Sequence, residues 1–146
     1  MSPRNLLLEH YYRNLYKPLL ECSLVGEGIE PIEGTQYRGT TDIRRLDLIN
    51  GLRLRIFEKA KVDLSGTVVR SEYSYCAVTL EGVQVARFDN SPHHLGLPHF
   101  PHHKHVGSDE LGVVMPNARN TLHDFLEELK RQTSEDRTSS TSSSIP

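Results

Sequence analysis

The chain has 146 residues, 36% of them hydrophobic, and a formal charge of −2. That length suits one domain able to bury a core, while the near-balance of charge excludes a global nucleic-acid signature and leaves anion binding to local clusters. Cys22 and Cys76 are the only cysteines; they have neither a metal-ligand spacing nor the density of a disulfide framework, so a reduced, cytoplasmic protein is expected.

The first stretch, MSPRNLLLEHYYRNLYK, is interrupted too early by Glu9, His10 and Arg13 to read as a signal peptide or a membrane span. Leu8, Tyr11 or Tyr12, Leu15, Tyr16 and Leu19 recur at helical spacing and predict a helix over about Pro3 to Leu20. Its tyrosines are expected to edge the core with their hydroxyls in water, and Pro18 to make the last turn irregular. Leu24-Val25 and Ile29 suggest a short strand interrupted by Gly26 and Gly28.

From Gln36 the pattern turns to strand. Asp42 to Leu48 alternates with period two, broken once at Arg44-Arg45, where a bulge would restore the phase. Asn50-Gly51 is a hairpin turn, since type I′ geometry needs positive φ at both central positions. The next strand puts Leu52, Leu54 and Ile56 on one face and Arg53, Arg55 and Phe57 on the other. After a turn near Asp63 to Gly66, simple alternation groups Val69, Tyr73, Tyr75 and Ala77 against Arg70, Glu72, Ser74 and Cys76. Glu81-Gly82 closes another hairpin before a last strand, Val83 to Asp89. Short turns between consecutive strands predict an antiparallel meander.

Arg87 to His105 reads RFDNSPHHLGLPHFPHHKH and holds six of the chain's eight histidines. Pro92, Pro98 and Pro101 exclude a continuous helix or interior strand, so a stiff, partly extended loop is expected. Gly107 to Met115 then reads as a connection. Pro116-Asn117 opens a second helix, whose stripe of Leu122, Phe125, Leu126 and Leu129 suits packing on a sheet. From Thr133 the sequence TSEDRTSSTSSSIP is nearly free of apolar residues, and a disordered tail over 133–146 is expected after a single domain over 1–132.

Three chemistries compete for the histidines. One imidazole could act as base and another as acid on a phosphodiester near neutral pH, with Lys104, Arg70 or Arg87 offsetting phosphoryl charge. RNA suits this chemistry because its 2′-hydroxyl is an internal nucleophile. Alternatively, Asp89, the His93-His94 pair and His103-x-His105 could ligate a divalent ion such as Zn²⁺, Ni²⁺ or Mn²⁺, although no settled metal signature is present. The third reading is structural, with imidazoles bonding loop carbonyls while the prolines and Phe100 pack the loop on the sheet.

The stretch DNSPHHLGLPHFPHHKHVG resembles the signature of the TumE-type toxins of toxin–antitoxin systems, in which Asp-Asn, Pro-His-His and Phe-Pro-His-His-Lys-His follow one another. The resemblance extends to Tyr73-Ser-Tyr75 and to Arg38-Gly39, and is densest from about Arg70 to Gly107. His99, Cys76 and the Ser-rich tail depart from the pattern. It implies a growth-inhibiting toxin neutralised by a cognate antitoxin, expected to be a helix-turn-helix protein, and it leaves the molecular target open.

The sequence therefore leads to an α+β fold, an antiparallel meander of about four or five strands flanked by N- and C-terminal helices. The expected activity is that of a small ribonuclease, the alternative being a binding module, with or without a metal, that blocks a partner. Asp89, His93, His94, His102, His103, Lys104 and His105 are the candidate catalytic residues. Arg70, Tyr73, Tyr75, Arg87 and Asn90 are candidates for holding substrate.

Overall fold

A computed structural model describes residues 6–25, 34–37 and 39–142. The expected strand element at Ile29 with Gly26 and Gly28, the helix start at Pro3, and Arg38 lie outside the described residues. Helix α1 spans Leu6–Glu21, and strands β1 to β7 span Gly34–Tyr37, Thr40–Asp47, Arg53–Val62, Val68–Val78, Gln84–Asp89, His103–Val106 and Val113–Pro116; helix α2 spans Leu122–Ser142. The strands form one antiparallel sheet in chain order, as a chain of short turns dictates. The fold is the expected α+β meander with terminal helices, but with seven strands.

Two of the additional strands arise where loops were expected. The three prolines of the histidine-rich stretch all precede His103, so none interrupts β6. Val113 and Val114 supply β-branched residues for β7, and Pro116 ends it at the sheet edge, where a missing N–H costs nothing. Helix α2 consequently begins at Leu122 rather than at Pro116-Asn117. Thr121 caps it reciprocally with Asp124: Asp124 N donates to Thr121 Oγ1 and Thr121 N to Asp124 Oδ2, both at 3.1 Å. Its backbone stays helical to Ser142, beyond Thr133, where a disordered tail was expected. Extending a formed helix costs far less than nucleating one, even through Ser and Thr.

Both helices cover the same face of the sheet. Leu19 of α1 and Leu122, Phe125, Leu126 and Leu129 of α2 pack on Ile43, Leu54, Ile56, Tyr73, Tyr75, Ala86 and Phe88. Phe125 meets Phe88 edge-on, ring centroids 4.9 Å apart. Tyr12 does not edge the core with a wet hydroxyl: it is buried beside Thr41, and that burial raises its pKa. Leu24-Val25 contributes a single bridge from Val25 to Leu48. Among the described residues no helix lies on the opposite face of the sheet.

Register shifts in β2 and β4 set which side chains reach which face. In β2 the pairing with β3 skips Arg44-Arg45, the expected bulge, so that Ile43 and Leu46 both face the core. In β4 the pairing jumps from Lys59↔Glu72 to Ala60↔Arg70, leaving Ser71 unpaired. Simple alternation put Arg70 with Glu72 and Ser74; the extra residue at Ser71 turns Arg70 onto the core side instead. Both cysteines are free, and among the described residues no helix is long and apolar enough to cross a membrane.

Candidate functional site

Strand alternation divides the candidate residues between the two faces. The β4–β5–β6 register aligns Ser74, Asp89 and His103 in one row and Cys76, Arg87 and His105 in the next, all on the helix-free face. His93 and His94, on the loop leaving β5, complete a hollow of about 230 Å³ over these rows.

Asp89 anchors the hollow. Its Oδ2 accepts from Arg87 Nε at 2.8 Å and its Oδ1 from Ser91 N at 3.1 Å. The same Oδ1 lies 2.9 Å from His103 Nε2, while His103 Nδ1 lies 3.0 Å from the Pro101 carbonyl. Both ring nitrogens of His103 are thus engaged, one by a carboxylate and one by a backbone carbonyl. His103 is 2% exposed; it braces the floor rather than meeting solvent.

His105 is different. Arg87 Nη2 lies 3.0 Å from His105 Nε2, and a guanidinium can only donate, which puts the acceptor lone pair on Nε2 and the ring proton on Nδ1. Burial, followed by the Arg87 charge, pushes the His105 pKa below its ordinary value, against a smaller upward pull from Asp89. It is therefore a neutral imidazole near pH 7. His94 is exposed and stands over both, its ring centroid 5.1 Å from His103 and 6.0 Å from His105. Its φ of 61° is uncommon for a side chain of this size. One ligand atom from each of His94, His103 and His105 falls within 4.8 Å of the others, so these three could hold a metal ion.

The remaining candidates lie on the helix-covered side. Lys104 alternates away from its histidine neighbours and pairs with both carboxylate oxygens of Glu128 on α2 at 3.2 Å. His102 also lies away from the hollow, its Nδ1 2.9 Å from the Tyr73 hydroxyl and its pKa lowered by burial and then by Arg70. Arg70 stacks 3.7 Å from the Tyr73 ring centroid and donates to the Tyr75 hydroxyl and to Asn120. Tyr75 donates to Glu58, and burial raises the pKa of Tyr73, Tyr75 and Glu58 alike. Asn90 clamps the loop to the β4 bulge, accepting from Tyr73 N at 3.0 Å and donating to Ser71 O at 3.1 Å.

The structure thus brings together Arg87, Asp89, His93, His94, His103 and His105, and holds Arg70, Tyr73, Tyr75, Asn90, His102 and Lys104 apart from them. Sequence reading missed Ser74, which lines the hollow, and Glu58, buried at 1% exposure. Glu58 was detectable, because it continues the inward-facing series Leu54, Ile56, Glu58, Ala60. Residues 21–133 match the family model described as Toxin TumE. No curated protein and no solved structure matches the chain.

Proposed function

The chain belongs to the TumE toxin family, as the match over residues 21–133 shows, and is the toxin component of a toxin–antitoxin system; from that premise we propose that it arrests growth by cleaving RNA at the histidine hollow. The observation that carries this reading is the convergence of a neutral imidazole, an exposed imidazole and an arginine in one hollow on the helix-free face.

In this reading the scissile phosphate draws the Arg87 guanidinium toward its oxygens, which frees His105 Nε2. His105 takes the proton of the RNA 2′-hydroxyl, and the 2′-oxygen attacks phosphorus. His94 donates a proton to the departing 5′-oxygen, giving a 2′,3′-cyclic phosphate and a 5′-hydroxyl. Asp89 fixes Arg87 and His103, and the Arg87 guanidinium offsets the charge that builds on the phosphoryl oxygens. The antitoxin in this proposal is a helix-turn-helix protein and the site of action is the cytoplasm.

The test is growth arrest against RNA integrity in one set of strains. Wild-type toxin should arrest growth and leave fragments ending in cyclic phosphate. His94→Ala and His105→Ala should lose both effects while still binding the antitoxin. Arrest with all RNA intact, or full toxicity of either variant, would sink the ribonuclease reading.

The mutual approach of His94, His103 and His105 favours a second reading, a divalent-metal module. The bond from His103 Nδ1 to a backbone carbonyl is the outer contact that orients many metal-ligating histidines. Against it stands Arg87, whose guanidinium occupies His105 Nε2 and repels a cation there.

A further inference from the structure

The histidine hollow opens into a larger groove on the same face, of about 550 Å³, whose lining includes Arg44, Arg55, Phe57, Ser74, Cys76 and Arg87. Ser74 and Arg87 line both. The register makes the relation explicit: Arg55 pairs with Cys76, Cys76 with Arg87, and Arg87 with His105. These four side chains form a straight row across β3, β4, β5 and β6. With neighbouring strands about 4.8 Å apart, Arg55 lies roughly 14 Å from His105 along that row. The adjacent row runs Phe57, Ser74, Asp89, His103.

We propose that single-stranded RNA crosses the helix-free face along this row, with Arg55 and Arg44 holding phosphates on one side of the cleavage point and Phe57 stacking under a base. The proposal rests on the ribonuclease reading for the identity of its ligand. Charge complementarity argues for it. Among the described residues Arg55 makes no ion pair and no side-chain hydrogen bond, although it lies in a groove with two further guanidiniums. Arg44 pairs with Asp42 at 3.4 Å, and its side chain is 77% exposed. Arg87 is already held by Asp89, which leaves Arg55 and the exposed Arg44 as the cations of the groove lining, beside one carboxylate, Asp42. Guanidinium forks match phosphate oxygens in pairs, and a half-buried phenyl ring offers a face that any unpaired base can use. A duplex hides those faces, which selects the single strand.

That no described helix covers this face of the strands fits the same use. The other face is packed by both helices, whereas on this one Arg55, Cys76, Arg87 and His105 stand where a covering element would bury charge. An open face that carries guanidiniums, one of them without an ion pair among the described residues, suits a polyanion.

The experiment separates binding from cleavage by using a single-stranded 2′-deoxy oligonucleotide, which lacks the internal nucleophile. Wild-type affinity for it should fall with salt. Arg55→Ala should weaken binding about tenfold or less and reduce the slope of log affinity against log salt by about 0.7, one phosphate contact on a single strand. Phe57→Ala should lose roughly fivefold or more from stacking; Phe57→Leu, which keeps the packing volume, guards against a folding defect and should lose a similar amount. Lys130→Ala, on α2, should bind as wild type. At saturating RNA, Arg55→Ala should keep its turnover and raise KM. Unchanged affinity and salt slope in Arg55→Ala would overturn the track, as would a wild type that does not bind the oligonucleotide. A wild type that binds through Arg55 but cleaves no RNA would leave the track standing and remove the ribonuclease reading.

Discussion

Asp89 and His103 face each other across the β5–β6 pair, Oδ1 to Nε2 at 2.9 Å, with side chains only 4% and 3% exposed. The same carboxylate holds Arg87 and the first turn of the histidine loop. One buried group therefore fixes the floor, the cation and the entry of the loop. Asp89→Asn should cost about 3 kcal/mol of stability, because it removes the buried carboxylate that Arg87, His103 and Ser91 all engage, and should abolish toxicity. Chemical denaturation measures the first effect; a stability within 1 kcal/mol of wild type, on the scale of an exposed pair, would show that the pair contributes little.

Lys104 and His94 should separate stability from activity. Lys104→Ala removes the half-buried pair with Glu128 on the covered side and should lower stability by about 1 kcal/mol without changing RNA cleavage. His94→Ala, at an exposed position, should leave the thermal midpoint within a few degrees and remove cleavage. The reverse pattern would place the chemistry on the covered side of the sheet.

Acid should destabilise the protein through His102 and His105, while Glu58, its pKa raised by burial, acts in the opposite direction. The folded-state pKa values of His102 and His105 are both pushed below the ordinary 6.5, burial being the largest cause. Below that pH the unfolded chain binds the protons more readily, so stability is full above about 6.5 and is lost as pH falls through the folded values. Asp47 and Asp63, held below 3.8 by their hydrogen bonds, act only at lower pH. Thermal midpoints from pH 7.5 to 5 should decline in wild type and flatten in a His102→Asn/His105→Asn double variant. Parallel curves would refute the assignment.

Metal binding has its own readout. If His94, His103 and His105 take a divalent ion, Zn²⁺, Ni²⁺ or Mn²⁺ should raise the midpoint in proportion to the logarithm of concentration above Kd, and His94→Ala should abolish the shift. The ribonuclease reading expects no such dependence and expects Zn²⁺ to inhibit, since it occupies the lone pair that His105 needs. Purified protein with stoichiometric metal that activates cleavage would favour the metal module.

Removal of residues 133–146 should leave the thermal midpoint nearly unchanged. The packing stripe of α2 ends at Leu129, and the segment beyond has little apolar surface to dock. About 1 kcal/mol moves a domain of this size by only a few degrees, so a loss larger than that would mean that the last turns of α2 support the core.

Much of the architecture follows from local pattern, which depends on neighbours in the chain. Asn50-Gly51 and Glu81-Gly82 fix two hairpins, and the stripe Leu122, Phe125, Leu126, Leu129 fixes one face of a helix, because each rests on the geometry of a single element. The histidine-rich stretch marked itself by composition and carried the family likeness. What pattern could not settle was the partition of that stretch. His102, His103, Lys104 and His105 are consecutive, yet pairing with β5 sends His103 and His105 to the open face and Lys104 to Glu128 under α2. Arg70 lies within two residues of Glu72, yet an unpaired Ser71 turns it to the other side. Side-chain direction in a strand reverses at every residue, so a single bulge or an unforeseen strand inverts the reading of everything beyond it. Register between strands distant in sequence is decided by the assembled sheet, and with it which imidazoles meet.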